Sequence, residues 1–391
     1  SYETSNKYKN IVNLDDIRFA VRLQYISGDK SIEQKFNIYQ LRDTISTAKD
    51  TLYYHDFPYE NYIDINDPCF SFTFSGEPNP EVNDFDLTVY AKGEALVRDM
   101  IYNNSEFIYN NNYVEFRNKY RGFVVVQAPD SPENAAIYAM RTGANSTGPF
   151  LNVYFTRTRY QEEIDADDDN KSPTEQKVLY LNMSDANLST ASHKKQSNIS
   201  ITSIRRDYSG TAFAALNQGG TVEIPDVAYV EGIAGMVTSL EFTQKLFDQI
   251  EALKPAEDYS VFINQAQIYY YLTDDDTETF ENAFQKLGSY TNYGRFYGIL
   301  DYASEITDSS SSSVPYGGEL NRTPGNGYYV MDISSFLQRA MKYDDEEYRK
   351  LILAPSYSPY SPFTNKLSTI AITGDKSPRI RLIYTLVEPG K

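Results

Sequence analysis

Alternating strands and only a few helical stretches make up the hydropathy pattern of this chain. From Ile17 to Tyr25 every second residue is apolar, which is the period of a strand with one buried face. Ile263 to Leu272 is predicted as a strand in the corresponding place of the second half, and Tyr229 to Val237 as another. The helical period is clearest from Phe242 to Leu253. The pattern therefore predicts a mainly β protein with short helices.

The order of elements from Asp86 to Phe155 recurs from Tyr328 to Thr385. Each copy has a strand, a short helix, an apolar strand that ends in Ala-Pro, and a closing strand led by proline. The Ala-Pro pairs are Ala128-Pro129 and Ala354-Pro355, and proline suits a strand end because it cannot donate to the ladder. The two helices carry apolar residues at equal offsets, namely Leu96, Val97, Met100 and Ile101 in the first and Phe336, Leu337, Ala340 and Met341 in the second. Four matches in one order favour a duplication over chance similarity.

The repeat predicts two related β-sandwich domains, each with one or two short helices. We place the first domain at residues 1–160 and the second at residues 176–391. Residues 161–175 are rich in acidic side chains and poor in apolar ones, so we predict an exposed acidic linker between the domains.

Composition restricts the partners of the chain. The net charge is -18, and such a field repels phosphates, so nucleic acid is excluded as a partner. Cys69 is the only cysteine, which excludes an internal disulfide and argues against a zinc cluster. Tyr is abundant, with 35 residues against 21 Phe and no Trp, and Tyr suits half-exposed sheet faces.

Signatures of catalysis are weak. His55 and His193 lie in polar, loop-like stretches, and no Gly-x-Ser-x-Gly elbow is present. Glycoside hydrolysis needs two carboxylates at a particular separation in space, and the sequence does not select a pair among 54 acidic residues. We therefore expect a non-catalytic protein, with a glycan-processing hydrolase as the alternative.

The acidic segment contains a partial calcium motif. Asp165, Asp167 and Asp169 have the one-three-five spacing of a calcium loop, in which carboxylate oxygens bind the hard cation. The motif then fails, because Asn170 replaces its glycine and Gln176 its bidentate glutamate. We favour a solvated linker over a calcium site of another type, and no other cofactor is expected.

Two groups of tyrosines are candidates for ligand binding. They are Tyr290, Tyr293 and Tyr297 in one group and Tyr357 and Tyr360 in the other. Such rings form platforms on which sugar rings stack, with neighbouring Asn and Asp as hydrogen-bond partners. The alternative, which we favour for any single residue, is that these tyrosines pack at sandwich edges. A ligand or partner surface is still expected somewhere on the domains.

Several short segments resemble a family of Bacteroidetes cell-envelope lipoproteins, the domain-of-unknown-function 4270 family. The similarity extends over nearly the whole chain, although each segment is short. The segments are Asp16 to Tyr25, Gly28-Asp29, Phe36 to Leu41, Phe116 to Pro129, Tyr229 to Met236, Ile263 to Ala266, Gly327 to Ser335 and Tyr384.

The resemblance implies an envelope protein with domains similar to the jelly-roll sandwiches of carbohydrate-binding modules. Members of the family are lipid-anchored at the outer membrane, so membrane association is expected only through an anchor outside this chain. The implied function is a binding module for a glycan or an envelope protein. A purely structural envelope component is a further alternative, because fold alone does not fix function.

Overall fold

Antiparallel sheets are the main regular structure of the protein, which is described from a computed structural model, and the prediction of a mainly β fold is confirmed. The chain divides into two compact units, residues 1–205 (unit 1) and 206–391 (unit 2). Among the helices that the structure describes, none is long and apolar enough to cross a membrane. The described residues are 10–46, 51, 53–103, 113–142, 149–183, 187–188, 196–197, 199–224, 227–273, 281–292, 296–307, 315–322, 327–343, 346–356, 369–373 and 378–388.

Unit 1 is built from two four-stranded sheets and short additional ladders. Its strands are β1 (Ile11–Val21), β2 (Leu23–Ser27), β3 (Gln34–Gln40), β4 (Phe70–Phe74), β5 (Asn83–Asp86), β6 (Thr88–Val89), β7 (Phe123–Gln127), β8 (Ile137–Met140), β9 (Phe150–Thr158), β10 (Thr174–Asn182), β11 (Asn187–Leu188) and β12 (Gln196–Ser197). Its α-helices are α1 (Ala91–Arg98), α2 (Tyr113–Tyr120) and α3 (Gln161–Ala166). The large sheets have the orders β10-β9-β1-β5 and β6-β4-β3-β7, and the ladders pair β2 with β8 and β11 with β12.

Aromatic side chains join the two sheets of unit 1 across a common core. The ring centroids of Phe19 on β1 and Phe72 on β4 lie 5.3 Å apart, and those of Phe72 and Phe85 on β5 lie 4.7 Å apart. Val97 of α1 and Met100 just after it are buried in the same cluster. Because the contacts cross from one sheet to the other, unit 1 has the architecture of a β-sandwich with a helix against its core.

Helix α1 lies unusually close to the sheet at Gly93. A Cβ atom added at Gly93 would lie 2.2 Å from the carbonyl oxygen of Cys69 and 2.7 Å from the ring of Phe70. Cys69 is fully buried under this contact, and burial raises the pKa of its thiol. Only glycine allows the helix backbone to approach the strand this closely.

Unit 2 also contains two four-stranded sheets. Its strands are β13 (Val227–Glu231), β14 (Thr238–Glu241), β15 (Ser260–Tyr271), β16 (Leu287–Asn292), β17 (Phe296–Gly298), β18 (Gly317–Asn321), β19 (Tyr328–Asp332), β20 (Lys350–Pro355), β21 (Thr369–Thr373) and β22 (Arg379–Val387). Its α-helices are α4 (Gln244–Glu251), α5 (Leu300–Thr307) and α6 (Ser334–Lys342). The sheets have the orders β18-β19-β15-β22 and β14-β20-β16-β17, and β13 pairs with β21.

The strand order of unit 1 recurs in unit 2. The series β9-β1-β5 corresponds to β22-β15-β19, and β7-β3-β4 corresponds to β20-β16-β17. The β2–β8 ladder has a smaller counterpart, because Leu272, directly after β15, bridges Ile372 of β21. Unit 2 adds β13, β14 and α4 before the common series, and unit 1 adds β10 after it. The two units therefore share the order of six strands in their two four-stranded sheets.

The acidic segment 161–175 lies within unit 1, although the sequence predicts a linker there. It includes α3 and the start of β10, which pairs with β9 along its whole length. Arg157 of β9 is almost fully buried and donates to Glu163 of α3 at 2.7 Å and to Glu175 of β10 at 2.6 Å. These ion pairs attach the segment to the sheet, and the division between the units falls at residues 205 and 206 instead.

A tight turn at residues 232–235 ends β13, where the sequence predicts a strand that continues to Val237. The N–H of residue 235 donates to the carbonyl oxygen of residue 232 at 3.1 Å. The two central residues, Ile233 and Ala234, have φ angles of 50° and 52°. This left-handed conformation is unfavourable for residues other than glycine. Arg206 donates to the carbonyl oxygens of residues 232 and 233 and to the Glu231 carboxylate, so the strained turn is fixed by three hydrogen bonds from one guanidinium.

Candidate functional site

Tyrosine rings lie side by side on the outer face of the β18-β19-β15-β22 sheet. Along β15 the even-numbered residues from Ala266 to Tyr270 are buried, so Tyr269 and Tyr271 point outward and are partly exposed. Tyr271 pairs with Tyr328 of β19, which brings a third ring to the same face. The centroid distances are 6.4 Å for Tyr269–Tyr271, 5.8 Å for Tyr269–Tyr328 and 5.6 Å for Tyr271–Tyr328.

Polar groups hold the rings at their edges. The Tyr269 hydroxyl donates to the side-chain oxygen of Gln267 at 3.2 Å, and the Asn321 amide donates to the Tyr328 hydroxyl at 2.9 Å. On the neighbouring strand β22, Arg379 pairs with Tyr269, and its guanidinium carbon lies 5.9 Å from the centroid of the Tyr271 ring. We call this surface the tyrosine face and define it as Gln267, Tyr269, Tyr271, Asn321, Tyr328, Arg379 and Arg381.

The tyrosine face combines flat apolar surfaces with fixed hydrogen-bonding groups. The Tyr269 and Tyr271 rings are nearly parallel, with an interplanar angle of 18°. Such rings offer large, rigid contact area to a ligand with an apolar face, and their hydroxyls keep polar partners. A sugar ring has this character, because its C–H groups form an apolar face and its hydroxyls a polar rim. The arrangement offers stacking surfaces and hydrogen-bonding groups of the kind that a saccharide needs.

The corresponding sheet of unit 1 carries a pocket of a different chemical character. It has a volume of about 450 Å³ and is lined by Asp15, Asp16, Arg18, Tyr154, Gln176, Lys177 and Val178. Arg18 lies 5.8 Å from the Tyr154 centroid, but it also forms ion pairs with Asp16, Asp84 and Asp86 at 2.8, 3.6 and 3.5 Å. The hydrogen bond to the Asp16 carboxylate raises the pKa of Arg18, and burial raises that of Asp84. Carboxylates therefore surround the cation in this pocket.

The tyrosines predicted as binding residues do not form a platform in the described part of the chain. Tyr290 is fully buried, its ring lies 5.9 Å from that of Tyr302, and its hydroxyl donates to Ser356 at 3.1 Å. The prediction of a surface ring at Tyr290 is wrong, because β16 turns this residue into the core, where burial raises its pKa. Tyr297 on β17 is 44% exposed. Tyr293, Tyr357 and Tyr360 lie outside the described residues.

Two of the three aspartates of the acidic run, Asp165 and Asp167, accept hydrogen bonds within unit 1. Asp167 accepts from Arg159 and from the backbone N–H of residue 170, at 2.9 and 3.1 Å, and Asp165 accepts from Gln161 at 2.8 Å. Asp169 is exposed. Within the described ranges, no group of three or more His, Cys, Asp or Glu is arranged to hold a metal ion. The calcium site stays a prediction.

The tyrosine face was absent from the sequence prediction, although the sequence carries a signal for it. Gln267, Tyr269 and Tyr271 occupy alternate positions of one strand, and Arg379 and Arg381 alternate on another. Alternation of this kind places side chains on one face of each strand. The pairing of the two strands, however, follows only from the fold, because they are more than a hundred residues apart.

Comparison with known proteins identifies no relative of this chain. No family model matches the sequence, and no curated protein or solved structure matches the chain. The resemblance to Bacteroidetes lipoproteins therefore stays a prediction.

Proposed function

We propose that this chain is a non-catalytic glycan-binding module and that the tyrosine face of unit 2 is its binding site. The observation that supports the proposal is the group of three adjacent tyrosine rings, Tyr269, Tyr271 and Tyr328, on one outer sheet face. Outward rings on a sheet are normally scattered, and a contiguous aromatic patch marks an interaction surface. A saccharide is the ligand that uses both the rings and the amides of Gln267 and Asn321.

The groups beside the rings favour binding over hydrolysis. Across and along the described strands, the neighbours of the three rings are Gln267, Val330, Asn321 and Arg379. None of these four is a carboxylate, whereas hydrolysis of a glycosidic bond uses two carboxyl groups on either side of the bond. The amides and the guanidinium are hydrogen-bonding groups that orient a ligand without serving as acid or nucleophile at neutral pH.

Mutation of the rings tests the proposal. We expect the wild-type chain to bind glycans on an array, and the double variant Y269A/Y271A to lose about 20-fold or more in affinity, at roughly 1 kcal/mol per ring. Calorimetric titration of the best array ligand measures the loss. The matched control is Tyr180→Ala, since Tyr180 on β10 is 64% exposed on the outer face of the corresponding unit 1 sheet.

Three outcomes contradict the proposal. Absence of any glycan ligand for the intact chain would leave a partner protein as the ligand class. Equal losses in Y269A/Y271A and Tyr180→Ala would place the site elsewhere. Release of free sugar from the ligand by the purified chain would mean that the chain is a hydrolase.

We further propose that the module works in the cell envelope, anchored to the outer membrane outside this chain. The support is the sequence resemblance described above, above all Asp16 to Tyr25 and Tyr229 to Met236. The protein should fractionate with outer membranes of the source cells when followed with an antibody to this chain. Recovery in the cytoplasmic fraction would refute this location.

A further inference from the structure

Two arginines give the tyrosine face a positive charge in a strongly acidic protein. Arg379 and Arg381 occupy outward positions of β22, where they pair with Tyr269 and Gln267 of β15. Both are exposed, and neither forms an ion pair with any residue that the structure describes. The strands β15 and β22 contain no acidic residue, whereas the whole chain has a net charge of -18.

The corresponding sheet of unit 1 carries an outward arginine in a different environment. Arg18 on β1 is surrounded by Asp16, Asp84 and Asp86 within 3.6 Å. The two units share the order of these strands, so the difference lies in the side chains and not in the topology. Unit 2 therefore leaves two guanidinium groups available for an anion next to three stacking rings.

Guanidinium groups match carboxylates in shape as well as in charge. Their planar fork donates two parallel hydrogen bonds to one carboxylate, a geometry that a lysine does not offer. The two arginines are separated by two residues along a strand, which is about 7 Å. A polymer that presents carboxylates repeatedly along its length suits this pair, and its sugar rings suit the tyrosines.

We propose that the ligand of the tyrosine face is an acidic polysaccharide whose uronic-acid carboxylates bind Arg379 and Arg381. This inference rests on the proposed glycan-binding function and adds the chemical class of the ligand. The net negative charge of the protein repels polyanions at a distance, so the affinity has to come from these local contacts.

The test compares polygalacturonate with a neutral galactan of similar length by calorimetric titration of the intact chain. We expect polygalacturonate to bind about tenfold or more tightly than the galactan, since each charge-assisted hydrogen bond adds to affinity. R379Q/R381Q should lose that advantage, so that it binds polygalacturonate no more tightly than it binds the galactan. The matched control, Arg18→Gln, should bind both polymers as the wild type does.

The outcomes separate this inference from the proposed function. Unchanged polygalacturonate affinity in R379Q/R381Q overturns the inference, and it leaves the proposed function standing if Y269A/Y271A still loses galactan binding. Tighter binding of dextran sulfate than of polygalacturonate overturns the assignment to carboxylates. If Y269A/Y271A binds both polymers as the wild type does, the proposed function itself fails.

Discussion

The turn at residues 232–235 should be more stable with a glycine at its centre. Ala234 has a φ of 52°, and a left-handed conformation costs a non-glycine residue about 1–2 kcal/mol. Ala234→Gly removes that cost from the folded state. It also makes the unfolded chain more flexible, which costs about 0.4–1 kcal/mol. The net expectation is a stabilisation of unit 2 by roughly 0.5–1 kcal/mol.

Amide hydrogen exchange measures this change within unit 2 alone. Peptides from β15, the central strand of the unit, report its opening in the intact two-unit chain. A stabilisation of roughly 0.5–1 kcal/mol slows their exchange about two- to fivefold in Ala234→Gly. Peptides from β1 in unit 1 should exchange at the wild-type rate, because the substitution lies in the other unit.

A matched control separates strain relief from the general effect of a glycine. Ala252, directly after α4, has φ and ψ angles of -65° and -8°, an ordinary right-handed conformation. Ala252→Gly should therefore destabilise unit 2 by roughly 0.5–1 kcal/mol and accelerate exchange in β15. If Ala234→Gly accelerates exchange as Ala252→Gly does, the strain at the turn is not stored in the backbone and the reasoning fails.

Two further substitutions test the interior of each unit. Gly93→Ala should destabilise unit 1 by about 2 kcal/mol or more, because the added Cβ meets the Cys69 carbonyl oxygen at 2.2 Å, and faster exchange in β4 measures it. Asp301 on α5 accepts from the backbone N–H groups of Ser335 and Phe336 at 2.7 and 2.9 Å, and burial raises its pKa. The folded state thus holds the Asp301 proton more tightly than the unfolded state, in which the pKa of this carboxyl is about 3.9. The stability of the wild type relative to Asp301→Asn should therefore fall as the pH rises from about 3.9 to the raised pKa of the folded state.

Each of these two expectations has its own control. Glu94→Ala on the exposed side of α1 should leave exchange in β4 nearly unchanged, and an equal effect in both variants would mean that helix propensity, not the close approach at Gly93, limits unit 1. For Asp301, unfolding free energies of wild type and Asp301→Asn are compared at several pH values by denaturant titration. A difference that is constant with pH, or that favours the wild type as pH rises, would contradict the raised pKa.

The sequence predicts the positions of strands and helices better than it predicts which side chains come together in a site. Ile17 to Tyr25 has the period of a half-buried strand, and β1 and β2 occupy it. The apolar offsets at Leu96 and Phe336 predict two short helices with one buried face, and α1 and α6 lie at these positions. Local periodicity contains this information because burial of one face is a local property of a strand or a helix.

The sites depend on pairs of residues far apart in sequence. Tyr290 is a platform candidate in the sequence, yet the register of β16 with β20 turns it inward. The acidic run is predicted as a linker from its composition, yet the register of β10 with β9 places Glu175 opposite Arg157, with which it forms an ion pair. Tyr271 and Tyr328 meet only through strand pairing. Register is a tertiary property, so no local pattern specifies these contacts.

The single cysteine allows the opening of unit 1 to be measured separately from that of unit 2, by reaction with a thiol reagent. Cys69 is buried in unit 1, and unit 2 has no cysteine. We expect an alkylating reagent to react only when unit 1 opens, because the thiol is fully buried, and the bulk of the adduct should keep it from returning to its place in the core. The rate at which the alkylated fraction grows therefore reports the opening of unit 1 and is independent of unit 2. The same measurement can be made in a crude cell extract, so the rate of unit 1 opening can be followed without purifying the protein.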